Sequence, residues 1–351
     1  MKKLVLSLIP LIGLSVPVAA SAETSYPTIS GELSVELEND WTHESDDEEG
    51  EITDLYPTVT LGTKVGFTNE LSVNLEATLE PVEDANDDRA FEDLGAYVNI
   101  LTVNYDANLF SVYAGKFTPN FGIAWDAAPG LFGTDINEDY ELAEMLGAGG
   151  ALNFAAAGAH TVSGSLFFQD TTFLSDSLGD SRGPVDESDG GPANTEDLSS
   201  FALALDGEFS ALEGFRYHVG FSSLEEGDDG DKNQNGYVVG AEYSFNLTEE
   251  ITATPLVEYA FIDNAGGIDD DETQYITAAF ALNYGGWDAA ATYQHRDTET
   301  AGDDFNDYVA ALTVGYTFEN GIGISGGLRE ADEEGVESST AGVLLSYAIE
   351  F

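Results

Sequence analysis

Apolar and polar residues alternate along most of this chain with a period of two. Ile29, Leu33, Val35 and Leu37 alternate with serine and glutamate residues, and residues 71–79 repeat the pattern. Because successive side chains of a β-strand point to opposite faces, this alternation predicts strands with one apolar and one polar face. The sixteen runs of this kind lie near residues 29–38, 58–67, 71–80, 93–105, 108–117, 146–156, 160–169, 198–209, 215–221, 236–247, 251–261, 273–284, 287–296, 307–318, 322–328 and 339–351.

The connectors between these runs alternate in length. Short ones lie near Asn69, Asp106, Gly158, Ala211, Thr248, Gly285 and Asn320. Long ones lie near residues 42–53, 81–92, 118–145, 170–197, 222–235, 262–272, 297–306 and 329–338. Short turns at one end and long loops at the other are typical of outer-membrane barrels, whereas a soluble β-sandwich gives no reason for such segregation. The pattern therefore predicts an all-β, transmembrane antiparallel β-barrel of sixteen strands.

The N-terminal residues have the pattern of an export signal. Lys2 and Lys3 precede an apolar run over residues 4–19, and residues 20–22 form a small-x-small cleavage site. We expect residues 1–22 to be a cleaved signal peptide and residues 23–351 to form the barrel.

The last residues of the chain alternate in the same way as the internal strands. Val343, Leu345, Tyr347, Ile349 and Phe351 lie on one face of a predicted strand. This segment resembles the closing strand of bacterial outer-membrane β-barrels, in which the assembly machinery reads a terminal phenylalanine. The resemblance implies an outer-membrane location.

The composition excludes one class of partner. The chain has 66 acidic and 10 basic residues, a formal net charge of −56, and no cysteine. Binding to nucleic acid requires a basic patch that neutralises phosphates, so a DNA or RNA partner is excluded.

The third long connector, about residues 118–145, differs from the other loops in its apolar content. It contains Phe121, Trp125, Leu131 and Phe132, whereas the other long loops are mostly acidic or rich in serine and glycine. Apolar side chains gain free energy by leaving water, and the wall of the lumen is the surface available to them. We therefore expect this loop to fold inward.

Residues 114–119, followed by Trp125, Asp126 and Ala127, are similar to the junction of strand five and loop three in the general porins of Gram-negative bacteria. That family forms sixteen-stranded, trimeric barrels in which the third loop narrows the pore. The resemblance implies a trimeric assembly of identical chains, in contact with outer-membrane lipid and lipopolysaccharide.

The resemblance also implies a constriction with basic and acidic sides. Lys116 corresponds to a basic wall residue, and Lys64, at an inward position, is a second candidate. Strict alternation with Val112 and Ala114 points Lys116 outward, so its inward position requires a bulge or a register shift. The opposing acids implied by the resemblance are Asp126, Asp135, Glu138, Asp139 and Glu141. The sequence departs from the family in its few basic residues, Arg216, Arg296 and Arg329 being the other inward candidates.

Acidic residues dominate the predicted inward face. A narrow aqueous pore lined by carboxylates attracts cations and repels anions. The sequence therefore predicts a cation-preferring porin for passive diffusion of small hydrophilic solutes. Two alternatives stay open: a surface-interaction or adhesion barrel that acts through its acidic loops, and a substrate-specific channel.

Two weaker signals concern metals and catalysis. Asp231, Asn233 and Asn235, with Glu242 at the twelfth position, match the calcium-binding loop of an EF-hand, although the segment from Tyr237 onward reads as a strand. A calcium site and an ordinary hairpin loop are both open interpretations. None of the four histidines has a serine or aspartate at a suggestive spacing, so no enzyme activity and no other cofactor are expected.

Overall fold

The computed structural model describes residues 25–183, 185–228, 230–302 and 304–351, and the described part is almost entirely β-structure. The predicted signal peptide lies outside the described residues. The sixteen long strands are β1 Thr28–Ser45, β2 Thr53–Gly66, β3 Leu71–Pro81, β4 Leu94–Asp106, β5 Phe110–Phe117, β6 Met145–Ala155, β7 Gly158–Gln169, β8 Ser200–Phe209, β9 Phe215–Leu224, β10 Gln234–Tyr243 (continued by Phe245–Asn246), β11 Ile251–Asp263, β12 Glu272–Tyr284, β13 Trp287–Glu299, β14 Asp304–Thr317, β15 Gly323–Glu333 and β16 Val336–Glu350.

Each strand pairs antiparallel with its neighbours in the chain, and the last strand closes on the first. In the β1–β16 pair Glu32 lies opposite Glu350 and Trp41 lies opposite Ala341. Backbone hydrogen bonds between Gly31 and Phe351, at 2.9 and 3.0 Å, continue the ladder. The predicted closed barrel of sixteen strands is confirmed.

The helices among the described residues are short. They are α1 Ala124–Ala127 and the 3-10 turns Glu48–Gly50, Asn137–Tyr140, Glu187–Asp189 and Ala265–Gly267. No helix in this part of the chain has the length and apolar character needed to cross a membrane.

The two faces of the barrel wall have opposite chemistry. On the outer face large apolar side chains are exposed, and Leu312 on β14 retains 61% of its accessible surface. The inner face carries buried polar side chains, among them Thr277 on β12 and Gln294 on β13, which is 0% exposed. An apolar exterior around a polar interior is the arrangement of a barrel that lies in hydrocarbon.

The predicted segregation of short turns and long loops is correct except at two connectors. The expected long loop over residues 297–306 is wrong, because β13 ends at Glu299 and β14 already begins at Asp304. The expected long loop over residues 329–338 is wrong, because β15 and β16 are joined by the two residues Glu334 and Gly335. Their φ angles of 53° and 79° are both left-handed, as a tight hairpin turn requires. The hairpin extends beyond the apolar, lipid-facing zone of the barrel. The strand residues beyond that zone are charged, so they lack the apolar–polar alternation that predicts a strand.

Strand β5 is the shortest wall strand because the chain turns inward after Phe117. Its pairing with β4 stops at Leu101 and Lys116, so the residues of β4 before Leu101 do not pair with β5. Leu178–Gly179, from the loop that follows β7, pairs there with Gly95 and Ala96. Residues 118–144, called loop 3 below, run through the barrel interior, and the predicted inward-folded third loop is confirmed.

Candidate constriction site

Strand β5 has an unusual backbone conformation just before Lys116, although its pairing with β4 and β6 stays in register. Gly115 has a φ of 136°, a conformation that favours glycine, and a Cβ there would lie 2.1 Å from the carbonyl oxygen of Leu101. The next side chain, Lys116, is 0% exposed instead of facing hydrocarbon.

Lys116 is enclosed by oxygen atoms. Its Nζ lies 2.6 Å from the carboxylate of Glu144 and 3.1 Å from that of Asp170, and it donates a 3.0 Å hydrogen bond to the carbonyl of Leu174. Buried charges require such partners. The expected basic residue on an open pore wall is therefore corrected to a buried cation that ties the end of loop 3 to the loop after β7.

Lys64 lies elsewhere in the barrel. It is near the short-turn end of β2, where its Nζ is 3.8 Å from Asp106 and its side chain is 53% exposed. The structure does not bring Lys64 together with the acids of loop 3.

The first turn of loop 3 is held by a single carboxylate on β11. Glu258 accepts hydrogen bonds from the backbone N–H groups of Ile123, at 2.8 Å, and Ala124, at 2.9 Å. The hydroxyl of Tyr140, from the far part of the loop, donates to the same carboxylate at 2.6 Å. Glu258 is only 4% exposed, so it serves as an anchor for the loop and does not line the open lumen.

A second anchor comes from His218 on β9. Its Nε2 accepts a 3.0 Å hydrogen bond from the backbone N–H of Gly122, so this nitrogen carries no proton. The opposite nitrogen, Nδ1, lies 2.8 Å from Asp206 and donates to it. Asn120 also donates to Asp206, at 2.7 Å. The sequence reasoning missed this histidine–aspartate pair because its members meet across adjacent strands.

Loop 3 then follows the wall through β12, β13 and β14. Thr277 donates to the side-chain carbonyl of Asn137 at 2.6 Å, and Gln294 donates to the carbonyl of Phe132 at 3.0 Å. The backbone N–H of Leu131 donates to Thr313 at 2.9 Å. These contacts fix the loop against the wall from β8 round to β14.

An apolar core accounts for the inward fold. Phe121 is 0% exposed, and its ring lies 6.4 Å from that of Tyr140, which in turn lies 4.9 Å from Tyr275 on β12. Phe132 is buried near Gly342 on β16. Because the bulk of loop 3 lies on the β8–β16 side, the interior beside β1–β4 is left as the passage.

Two of the predicted loop acids are ion-paired with the wall. Asp135 lies 2.6 Å from Arg329 on β15, and Asp139 lies 2.7 Å from Arg296 on β13. Burial raises the pKa of both carboxyl groups, and the two arginines oppose that rise. These two acids complete the attachment of the loop.

The other predicted acids, Asp126, Glu138 and Glu141, have no ion pair among the described residues. Burial raises the pKa of Asp126 to about 6. Burial is the main cause that raises the pKa of Glu141, to about 7. The neighbouring carboxylates of Glu138, Asp126 and Glu144 contribute to the rise. Asp126 and Glu141 therefore change charge near neutral pH.

The wall across the passage is also acidic. Partial removal from water raises the pKa of Glu138. Neighbouring carboxylates, which include Glu80 of β3, raise it further, so this loop acid lies within electrostatic range of an acid on the wall. Tyr97 on β4 donates a hydrogen bond to Glu80. Other inward acids on this side are Glu36, Glu38 and Glu76.

The basic residues of this region are neutralised. Arg182, from the loop after β7, lies 4.0 Å from the ring centre of Tyr97 and bonds Glu144 through both Nη atoms. Each of the eight basic residues that the structure describes has a carboxylate partner: Lys64, Arg89, Lys116, Arg182, Arg216, Lys232, Arg296 and Arg329. The expected contrast between a basic wall and an acidic loop is replaced by carboxylates on both sides.

The structure does not assemble the EF-hand pattern. Glu242 is paired with Arg216 at 2.6 Å, whereas Asn235 lies at the other end of β10. Seven residues of strand separate them by about 23 Å. Asp231 and Asn233 lie in the loop before the strand, and no cluster of three or more metal-binding side chains is present in the described ranges. The strand interrupts the twelve-residue loop that calcium would need.

Comparisons with known proteins support the architecture. No family model and no curated protein matches the chain. Among solved structures, Salmonella typhi OmpF in complex with daunomycin has a TM-score of 0.59 at 14% identity, over 92% of this chain and 98% of that chain. Acinetobacter baumannii OccAB3 has a TM-score of 0.57 at 10% identity, covering 92% and 99%. Pseudomonas aeruginosa OccK2 in complex with glucuronate has a TM-score of 0.54 at 11% identity, covering 92% and 98%. At these identities the likeness shows the fold, which is that of the outer-membrane porins.

Proposed function

We propose that this chain is an outer-membrane porin, a passive, water-filled and cation-preferring channel for small hydrophilic solutes. The observation that carries the proposal is the charge pattern of the passage. Asp126 and Glu138 of loop 3 interact electrostatically with Glu76 and Glu80 of β3, and Glu141 lies among the other acids of the loop. Each described basic residue is held by a carboxylate.

The physical basis is the field of fixed carboxylates in a narrow aqueous space. Such groups raise the local concentration of cations and repel anions. Salt shortens the range of this field to about 10 Å at 0.1 M and about 3 Å at 1 M. Selectivity should therefore weaken as the salt concentration rises.

The architecture supports a channel over a surface-interaction barrel. Loop 3 occupies one side of the lumen and is attached to the wall along many strands, which sets the width of the remaining passage. A barrel that acted through its outer loops would not need this arrangement. OccK2 was solved with glucuronate, an anion, whereas the acidic passage of this chain is expected to disfavour anions.

The proposal has three finer parts, which rest on the sequence pattern of residues 1–22 and on the porin resemblance. They are export with a cleaved signal peptide over residues 1–22, assembly as a homotrimer, and contact of the acidic outer loops with lipopolysaccharide. Chemical cross-linking and gel filtration in detergent would test the trimer independently of conduction.

The decisive test is the reversal potential of the refolded barrel in a planar bilayer under a KCl gradient. We expect stepwise conductance with cation preference in dilute salt, and a weaker preference in 1 M salt. The triple variant Asp126→Asn, Glu138→Gln, Glu141→Gln should reduce the preference. A matched control, Glu83→Gln, Asp84→Asn, Asp87→Asn, removes the same charge from an exposed outer loop and should change it little.

Two outcomes would overturn the proposal. Anion preference in dilute salt would reject the role of the carboxylates. A correctly folded barrel that conducts no ions would favour the surface-interaction alternative.

A further inference from the structure

A recess lies beside the passage at the long-loop end of the barrel. Its volume is about 450 Å³, and it is bounded by residues 139–143 of loop 3 and by the ends of β9, β11 and β12. Pro192 and residues 265–266, from two outer loops, contribute to its rim. The recess shares Glu141 with the acids of the passage.

The interior of the recess combines aromatic and aliphatic side chains with polar ones, among them Gln169, Gln234 and Thr273. Tyr140 and Tyr275 form one side, with ring centres 4.9 Å apart. Leu142, Met145 and Ile262 contribute buried apolar surface. Such a surface favours a compact apolar group or a ring, and the faces of the tyrosine rings also attract cations.

The charged groups of the recess are both acidic. Asp139 is already paired with Arg296, whereas Glu141 has no ion pair among the described residues. In the part of the chain that the structure describes, no lysine or arginine lines the recess. Aromatic and aliphatic side chains beside an unpaired carboxylate match a ligand that carries both an apolar group and one positive charge.

We propose that this recess is a binding site for small amphipathic cations, compounds in which an ammonium group is joined to an aromatic ring or a compact apolar group. The ring lies against Tyr140 and Tyr275, and the ammonium group faces Glu141. The site holds such solutes at the outer mouth of the channel. This inference rests on the proposed channel function.

The test uses phenethylammonium as the probe in single-channel recordings, with the probe added to each side in turn. We expect brief, reversible interruptions of the KCl current, at lower concentration from the side that faces the long loops. Ethylammonium has the same charge without the ring, and phenylacetate has a ring with the opposite charge. Both should interrupt the current much less at equal concentration.

Two variants locate the site. Glu141→Gln should raise the half-blocking concentration of phenethylammonium by about fivefold, the effect of one exposed Coulombic contact. Ala265→Phe should reduce the block by filling the recess, while it leaves the block by ethylammonium unchanged. If this variant folds poorly, Ala143→Phe fills the same recess from an exposed position. Glu83→Gln is the control for a charge removed from an outer loop.

The outcomes separate this inference from the channel proposal. Normal KCl conductance with equal block by ethylammonium, or with a block that neither variant changes, would overturn the recess site and leave the channel intact. Absence of KCl conductance in a folded barrel would overturn the channel itself.

Discussion

The hydroxyl of Tyr140 donates a 2.6 Å hydrogen bond to the carboxylate of Glu258, across 118 positions of sequence and inside the barrel. The same carboxylate accepts the backbone N–H groups of Ile123 and Ala124. One wall residue therefore fixes two distant parts of loop 3, and the width of the passage depends on it.

Replacing this anchor should loosen loop 3. Glu258→Gln keeps the size of the side chain but places an amide NH₂ where a backbone N–H now donates. Loss of one hydrogen bond to a charged acceptor costs about 1.5 to 3 kcal/mol of loop attachment. We expect larger and more variable single-channel conductance. Glu208→Gln, which removes an acid near the short-turn end of β8, is the matched control, and equal conductance in the two variants would contradict the anchor.

The selectivity of the channel should depend on pH between 5 and 8. The pKa of Asp126 is raised to about 6 and that of Glu141 to about 7, so both carboxyls are mostly neutral at pH 5 and mostly charged at pH 8. Cation preference should therefore increase as pH rises through this window. Reversal potentials at a fixed KCl gradient measure the cation preference at each pH. The double variant Asp126→Asn, Glu141→Gln should make this preference depend less on pH. A pH profile that is unchanged in the double variant would assign the titration to other groups.

Much of the fold could be predicted from the sequence because strand periodicity is a local property. The alternation of Val343, Leu345 and Tyr347 needs no knowledge of the rest of the chain. The inward fold of loop 3 was also predictable, since Phe121 and Trp125 in an otherwise acidic set of loops require an apolar environment.

The partners within the site could not be predicted, because they join residues far apart in the chain. The sequence predicts Glu258 as an inward acid on a strand, and none of the residues around it in the sequence indicates that loop 3 covers it. Lys116 reads as a pore residue, yet Asp170 reaches it from 54 positions away. An inward acid or histidine beside a predicted inward loop is the signal that could have indicated such anchors.

Lys116 should contribute strongly to stability, and Lys64 should not. Lys116→Met leaves the carboxylate of Asp170, whose side chain is 0% exposed, without its cation. Breaking a buried pair in this way costs about 3 to 5 kcal/mol. Lys64→Met removes an exposed lysine and should cost no more than about 1 kcal/mol. The measurement is the midpoint of urea unfolding in detergent, with tryptophan fluorescence as the signal that reports unfolding.

A double variant checks the origin of the Lys116 effect. Lys116→Met combined with Asp170→Asn removes the unpaired charge, so it should recover part of the stability lost in Lys116→Met. Equal midpoints for Lys116→Met and Lys64→Met would show that the buried network does not stabilise the barrel.

Arg182 lies over Tyr97, which donates to Glu80 in the acidic wall of the passage, and its removal should increase cation preference. The guanidinium lies over Tyr97 and bonds Glu144, so Arg182→Gln leaves Lys116 as the one cation bound to that carboxylate. The lost charge-assisted hydrogen bonds should also destabilise the loop after β7 by about 1.5 to 3 kcal/mol. Arg216→Gln is the matched control, because Arg216 is half exposed near the short-turn end and pairs with Glu242. Reversal potentials in dilute KCl should shift further toward the cation limit in Arg182→Gln than in Arg216→Gln. Equal shifts would mean that selectivity follows the total charge of the barrel and not the carboxylates beside loop 3.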